Sequence, residues 1–166
     1  GLNYLKRSDK MKKVLFISST GGHLTELLKL KKLFEKYDSY IITEKTESNL
    51  SLKEEYGNKI HYLLYGTKHH LFSYLLKTPI NIIKSLYLYF KIRPKVVVTT
   101  GAHTAVYMCY IAKLFRSKII YIETLANMKT KTLSGKLVYP ISDKFIVQWE
   151  SMKELYPKAI YGGWIF

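Results

Sequence analysis

Short apolar runs alternate with helical patterns along this chain, and that alternation limits the folds that it can adopt. Each run is three to five residues long, and the segments between the runs repeat apolar residues at intervals of three and four. The predicted strands are 14–18, 40–43, 60–64, 96–99, 118–122, 144–148 and 159–161. The predicted helices are 24–36, 48–56, 104–115 and 133–138, with a helical turn at 151–156. Unbroken apolar strands are typical of a parallel sheet that helices cover on both faces. The sequence therefore predicts an α/β fold with ligands at the carboxyl ends of the strands.

The length of the chain suits one domain. It has 166 residues, and Met11 opens the first strongly patterned segment. We therefore expect residues 11–166 to form a single domain. Residues 1–10 are expected to be an expression remnant or a short leader, and they take no part in the fold argument.

The charge of the chain indicates its class of partner. Lys and Arg outnumber Asp and Glu by 27 to 12, which gives a net charge of +15. Such an excess favours nucleic acid, an acidic membrane surface or a phosphate-bearing substrate. The basic residues are spread along the chain and match no nucleic-acid-binding motif, so no nucleic acid is expected. A basic nucleic-acid-binding module stays the alternative, and a salt titration against DNA and anionic vesicles separates the two.

Cysteine and histidine spacing gives no sign of a metal site. Cys109 is the single cysteine and lies in an apolar run, which predicts a buried core residue. His61, His69 and His70 do not have the spacing of zinc ligands. We predict neither a metal nor a cofactor.

The turn after the first strand is the first candidate site. Thr20, Gly21, Gly22 and His23 follow that strand and open a helix. Glycines let the backbone approach a ligand closely, and the free N–H groups of a helix start favour an anion. The pattern fits a phosphate cradle or a plain tight turn. His23 is then a general base or a solvent-facing residue at the helix start.

A second turn repeats this arrangement after the fourth strand. Thr100, Gly101 and Ala102 leave room for a ligand, although capping of the next helix alone explains the pattern. Glu123 directly follows the fifth strand, where its carboxylate is expected either to face the cleft and bind sugar hydroxyls or to pair with a surface lysine.

The stretch 71–92 carries a second kind of signal. Thr78 and Pro79 are typical of a helix start, and Pro94 ends the stretch. Two lysines seven residues apart lie on nearly one side of the helix, and the rest of it is a wide apolar and aromatic arc. The pattern favours a helix in a membrane interface over a helix packed only on the core. The predicted membrane residues are Ile83, Lys84, Leu86, Tyr87, Phe90 and Lys91.

The order and spacing of six segments resemble one family. The segments are 21–23, 100–102, 121–124, 133–140, 145–149 and 156–163. They are similar to the acceptor-side, membrane-anchoring subunit of the two-subunit N-acetylglucosaminyltransferase that acts on dolichol diphosphate-GlcNAc, and to its bacterial capsule and exopolysaccharide counterparts. The second loop departs from the family, because His103 and Thr104 stand where other members often have small residues.

The resemblance implies a Rossmann-like parallel sheet that forms the N-terminal half of a GT-B glycosyltransferase. It implies that Thr20, Gly21, Gly22, Thr100, Gly101 and Ala102 bind the diphosphate of a polyprenyl-linked sugar acceptor. His23 and Glu123 would be the catalytic residues, and 71–92 would hold the protein at the cytoplasmic face of the cell membrane. The expected enzyme is a UDP-sugar-dependent hexosyltransferase that is inactive without its donor-binding subunit.

The last residues of the chain are predicted to bind that partner. Trp164, Ile165 and Phe166 are large and apolar, and they follow two glycines. Such clusters mark interfaces when little chain is left to cover them. The alternatives are that these residues fold back onto the sheet, and that the whole subunit is a non-catalytic membrane scaffold for its partner.

Overall fold

A computed structural model describes residues 11–66 and 71–163. The strands are β1 (Lys13–Ser18), β2 (Asp38–Glu44), β3 (Ile60–Leu63), β4 (Val96–Gly101), β5 (Lys118–Ile122), β6 (Lys144–Val147) and β7 (Ile160–Tyr161). The helices are α1 (Gly22–Leu28), α2 (Lys31–Phe34), α3 (Leu52–Tyr56), α4 (Leu71–Ile92), α5 (His103–Leu114) and α6 (Leu133–Val138). Short 3-10 turns at Glu47–Asn49, Gly57–Lys59, Tyr139–Ile141 and Glu150–Lys153 complete the described elements.

The seven strands form one parallel sheet, as the sequence predicts. Their order is β3-β2-β1-β4-β5-β6-β7, so the chain moves outward from β1 in one direction and from β4 in the other. β1 and β4 are adjacent in the centre, and the order of the strands reverses between them. Ligands of open α/β sheets bind at the carboxyl ends of the strands on either side of such a reversal.

Helices cover both faces of the sheet. Leu15 and Ile17 of β1 face α4 and α5, whereas Val14 and Phe16 face α1 and α2. The alternation follows the two-residue repeat of a strand, and both sets are apolar because both faces are buried. Cys109 packs in the first of these cores, as predicted, and burial raises the pKa of its thiol to about 12.

Tertiary packing changes three of the predicted helices. The helix predicted at 24–36 is two helices, because the chain turns at Leu30 and buries that side chain. The helix predicted at 48–56 is a 3-10 turn followed by α3. α4 begins at Leu71 rather than at Thr78, and it contains Pro79 in its interior. The helix continues through Pro79 because a proline removes only one backbone N–H donor. Next to it, the Thr78 hydroxyl donates to the carbonyl of Tyr74 at 2.9 Å.

Polar side chains dock α4 on the sheet. The Asn81 side chain accepts from the backbone N–H of Leu64 at 2.8 Å and donates to its carbonyl at 2.9 Å. Among the described strands, β3 is an edge strand and has no neighbouring strand on its outer side. The two bonds to Asn81 satisfy backbone groups that a further strand would otherwise pair with. Asn81 and Ser85 are buried, so α4 turns a partly polar side toward the protein.

Candidate functional site

The turns after β1 and β4 meet at the carboxyl edge of the sheet. The backbone N–H of Ser19 donates to the Gly101 carbonyl at 2.8 Å, and the Ser19 hydroxyl accepts from the backbone N–H of Ala102 at 3.2 Å. Gly101 has a φ of 101°, and a Cβ there would lie 3.0 Å from Tyr121 Oη and 3.2 Å from His23 Nδ1. Both the backbone conformation and the space therefore require glycine.

Two hydrogen bonds tie His23 to the second turn. Nδ1 of His23 lies 2.8 Å from the carbonyl oxygen of Thr100, and the Thr100 hydroxyl donates to the His23 carbonyl at 2.6 Å. A carbonyl only accepts, so Nδ1 carries a proton and Nε2 of the neutral ring keeps its lone pair. Thr100 is fully buried, and its hydroxyl holds the two turns together; a contact between Thr100 and a diphosphate stays a prediction.

A cavity of about 330 Å³ opens beside these turns. His23, Ala102 and His103 form its polar end. The remaining walls come from α4, α5, α6 and the residues just before α6: Tyr74, Val106, Tyr107, Thr132, Leu133, Ser134 and Leu137. The cavity therefore has a polar end and a side that is mostly apolar, because the hydroxyls of Thr132 and Ser134 on that side form hydrogen bonds within the protein. Such a lining suits an amphipathic ligand.

The first turn also borders a second, shallower cleft. Thr20 and Gly21 lie there with Lys45 and Tyr65, in a cleft of about 510 Å³. Gly21 has a φ of 85°, which favours glycine, whereas nothing lies within 4 Å of a Cβ built at Gly22. The predicted diphosphate residues thus surround two neighbouring openings rather than one.

Glu123 lies beneath the site, not in it. The side chain is 1% exposed, and its carboxylate accepts from the Thr132 hydroxyl at 3.0 Å, the Thr124 backbone N–H at 3.1 Å and the Tyr156 hydroxyl at 3.3 Å. Burial raises the pKa of this carboxyl, and the hydrogen bonds act in the opposite direction. The Glu123 carboxylate is therefore not accessible for the sugar contact that is one of its two predicted roles. Its hydrogen bonds hold the loop before α6 in place.

Gly135 shows how tightly that loop is packed. A Cβ at Gly135 would overlap Glu123 Oε2 and lie 2.7 Å from Tyr156 Oη. The Thr132 hydroxyl also accepts from the Gly135 backbone N–H at 3.0 Å and so caps α6. The loop that borders the cavity is therefore anchored to a buried carboxylate.

Sequence reasoning missed the role of one carboxylate near the cavity. Glu44 is the last residue of β2, and Glu123 directly follows β5, so the same place at a strand end would have identified it. Glu44 is 1% exposed, and its Oε1 lies 3.8 Å from Nε2 of His103. This Oε1 has no hydrogen-bond partner among the described residues. The sequence gives no way to foresee this contact, because 59 positions in the chain separate the two residues.

The outer side of α4 exposes large apolar residues. Phe72 is 78% exposed, Ile83 is 68% exposed and Tyr87 is 63% exposed, and Lys84 and Lys91 are also exposed. Phe90 belongs to the same surface, whereas Leu86 is only partly exposed. Contiguous apolar surfaces of this kind mark protein or membrane contacts.

Some predictions lie outside the described residues. Residues 1–10 and Trp164, Ile165 and Phe166 are among these, so both predictions stay open. Over 11–66 and 71–163, no helix is long and apolar enough to cross a membrane. Within the same ranges, no three His, Cys, Asp or Glu side chains cluster in a way that would hold a metal ion.

The order of the strands and the helices on both faces of the sheet define a Rossmann-like fold, as in one half of a GT-B protein. The structure of Acinetobacter baumannii MurG is similar, with a TM-score of 0.64 and 14% identity over 84% of this chain and 42% of MurG. At that identity the likeness concerns the fold, and the chain corresponds to less than half of the MurG polypeptide.

The chain belongs to the family described as oligosaccharide biosynthesis protein Alg14 like, whose sequence profile matches residues 14–165. It is 31% identical to the UDP-N-acetylglucosamine transferase subunit ALG14 of Rattus norvegicus, over 90% of this chain and 81% of the rat protein. It is 32% identical to the ALG14 subunit of Candida albicans, over 87% of this chain and 74% of the yeast protein. The fold and the family that the sequence predicts are thereby confirmed.

Proposed function

We propose that the chain is the acceptor-binding subunit of a two-component glycosyltransferase in cell-surface polysaccharide biosynthesis. It binds a polyprenyl-diphosphate-linked sugar at the cytoplasmic face of the membrane, and a partner subunit binds the UDP-sugar. The family relatives are named as transferase subunits, which supports a role in a heteromeric enzyme.

The observation that carries this proposal is the two-sided cavity beside His23. Its polar end is formed by the turns after β1 and β4, and its apolar side reaches Tyr74 of α4 and Leu133 and Leu137 of α6. Leu133 and Leu137 are exposed, and so are Leu71 and Phe72 at the start of α4. A ligand with an anionic head and a long apolar tail fits this surface, with its head at the turns and its tail along α4.

The same geometry supports contact with a membrane. α4 exposes its apolar side outward and carries Lys84 and Lys91 on the exposed surface. A helix in a membrane interface combines buried apolar side chains with lysines that meet anionic headgroups. A membrane-bound α4 holds the mouth of the cavity at the depth from which a polyprenyl acceptor emerges.

His23 is the group that we propose as the general base. Its Nδ1–H is held by the Thr100 carbonyl, so Nε2 can accept the proton of the acceptor hydroxyl. The hydroxyl oxygen then forms the new bond to the anomeric carbon of the donor sugar, the bond from that carbon to UDP breaks, and the UDP carries away its electron pair. Basic side chains and helix starts can stabilise that leaving group without a metal.

Reconstitution with a partner tests the proposal. The purified chain alone is expected to show no UDP-sugar-dependent transfer to a polyprenyl-diphosphate-linked sugar, and addition of a donor-binding subunit is expected to restore transfer. Deletion of 164–166 should weaken that association, as measured by co-purification, while the thermal unfolding midpoint stays unchanged. Robust transfer by the isolated chain would contradict the split enzyme.

Two further measurements address the two alternatives. A non-catalytic scaffold would keep full transfer when His23 is replaced, as long as the partner still binds. A nucleic-acid-binding module would bind DNA more tightly than anionic vesicles at equal salt.

A further inference from the structure

The carboxylate of Glu44 is buried next to the cavity. Its side chain lies at the end of β2 and is 1% exposed. Oε1 has no hydrogen bond to any described residue. An ionised carboxylate is expensive to bury without a partner of opposite charge, so such a group indicates that a cation belongs beside it.

His103 stands between that carboxylate and the cavity. It is the first residue of α5, its Nε2 lies 3.8 Å from Glu44 Oε1, and its ring lines the cavity. The ring of Tyr74 packs against it edge to face at 5.3 Å between centroids. Two rigid elements therefore hold the imidazole at the polar end of the cavity, with the carboxylate behind it.

The cavity has few other sources of positive charge. No lysine or arginine is among the described residues that line it, and His23 and His103 are the lining residues that can become cations. His23 keeps a neutral ring in its role as base. The diphosphate of an acceptor, which carries at least two negative charges, would need another charge partner in the same space.

We propose that His103, paired with Glu44, is the cationic residue that binds the acceptor diphosphate. This inference rests on the proposed function, and it identifies how that site holds its ligand. Glu44 acts as a positioning residue: its negative charge favours the imidazolium form of His103 and fixes the orientation of the ring. The N-terminal end of α5 attracts the same anion, and it opposes the imidazolium charge in the free protein. The negative charge of the bound diphosphate offsets this unfavourable effect of the helix end on the imidazolium. Binding of the ligand therefore favours protonation of His103.

Calorimetric titration of the full chain with farnesyl diphosphate tests the pair. His103→Gln is expected to weaken binding about tenfold, and Glu44→Gln is expected to weaken it by a similar factor at pH 7.5. The double variant should bind no more weakly than either single variant, because both changes remove one interaction. His61→Gln is the matched control, since His61 lies outside the cavity lining. Glu44→Gln removes a buried charge and keeps the side-chain shape, so it remains informative if His103→Gln fails to fold.

The pH dependence separates a charge pair from a purely structural role. Among residues 11–66 and 71–163, the titratable groups that the structure places around His103 are Glu44 from β2, Tyr74 from α4, Tyr107 from α5 and His23 from α1. Wild-type affinity relative to His103→Gln should fall as the pH rises through the range in which imidazole loses its proton, about 6.5 in the absence of perturbation. In Glu44→Gln the fall should occur at lower pH. The comparison with His103→Gln cancels ionisation of the ligand itself.

Each outcome bears on a distinct claim. If the wild type binds farnesyl diphosphate and both variants bind it equally well at every pH, the His103–Glu44 inference is wrong and the acceptor site stands. If the wild type binds neither farnesyl diphosphate nor farnesol, the acceptor site itself is wrong, and this inference is wrong with it. If UDP binds more tightly than farnesyl diphosphate and depends on His103, the cavity holds the donor and the assignment to the acceptor is overturned.

Discussion

The outer surface of α4 allows the membrane proposal to be tested with a defined energy. Phe72, Ile83 and Tyr87 are between 63% and 78% exposed, so most of each side chain is free to enter an apolar phase. Full burial of a large apolar side chain is worth about 1.5–3 kcal/mol. Scaled by the exposed fractions, each residue contributes roughly 1–2 kcal/mol to membrane binding.

Replacing these three residues by serine should therefore weaken membrane binding by about 3 kcal/mol or more, which is about a hundredfold in the partition coefficient. Serine at these positions removes little buried area from the folded protein, because the side chains already face outward. Flotation with vesicles that contain anionic lipid measures the bound fraction, and thermal unfolding checks that the variant folds.

A matched variant controls for the loss of apolar surface in general. Leu33, Leu50 and Ile160 are also exposed but do not belong to α4, so their replacement by serine should leave flotation unchanged. Replacement of Lys84 and Lys91 by glutamine should cost about 1 kcal/mol each and reduce the dependence of binding on salt. Equal flotation of the wild type and the α4 serine variant at low salt would refute the reasoning, as would a wild type that stays soluble.

Three further predictions concern the site. His23→Ala is expected to lower transfer by the complex at least tenfold, about 1.4 kcal/mol of barrier, with an unchanged unfolding midpoint; near-normal turnover would exclude a catalytic role. Gly135→Ala should destabilise the protein by about 2–3 kcal/mol in chemical denaturation, because its Cβ would overlap Glu123, whereas Gly22→Ala meets no atom and should cost much less. The folded-state pKa of Glu123 is raised, so its contribution favours folding below about pH 4.3 and is lost as the pH rises through the raised value. Glu123→Gln should therefore gain stability relative to the wild type as the pH rises from about 4.3 through that raised value, and a constant difference would contradict that assignment.

Local sequence patterns were sufficient to predict the sheet and the edge that carries the site. A strand buried on both faces needs an unbroken apolar run, so the strands at 14–18 and 96–99 are readable without knowledge of their neighbours. The glycines that follow them mark turns that only glycine makes easily. Because parallel strands end at the same edge, the sequence was enough to assign both turns to the carboxyl edge of the sheet, whereas the adjacency of β1 and β4 came from the tertiary structure.

The side that α4 turns to the protein depended on tertiary structure. Its sequence shows a lysine stripe and a wide apolar arc, but a helical repeat does not indicate which side finds a partner. Asn81 faces inward because the edge of β3 offers a backbone N–H and carbonyl at Leu64 that it can satisfy. That pairing leaves Phe72 and Ile83 outside, where they form the proposed membrane surface.

The roles of the two strand-end carboxylates also depended on contacts that are remote in the chain. By sequence alone, Glu44 and Glu123 hold equivalent positions, each at the end of a parallel strand. In the folded protein Glu123 is surrounded by the hydroxyls of Thr132 and Tyr156, whereas Glu44 lies behind the imidazole of His103. A strand's sequence determines the edge at which a side chain emerges, but its charge partner comes from a neighbouring element, and only the tertiary structure brings the two together.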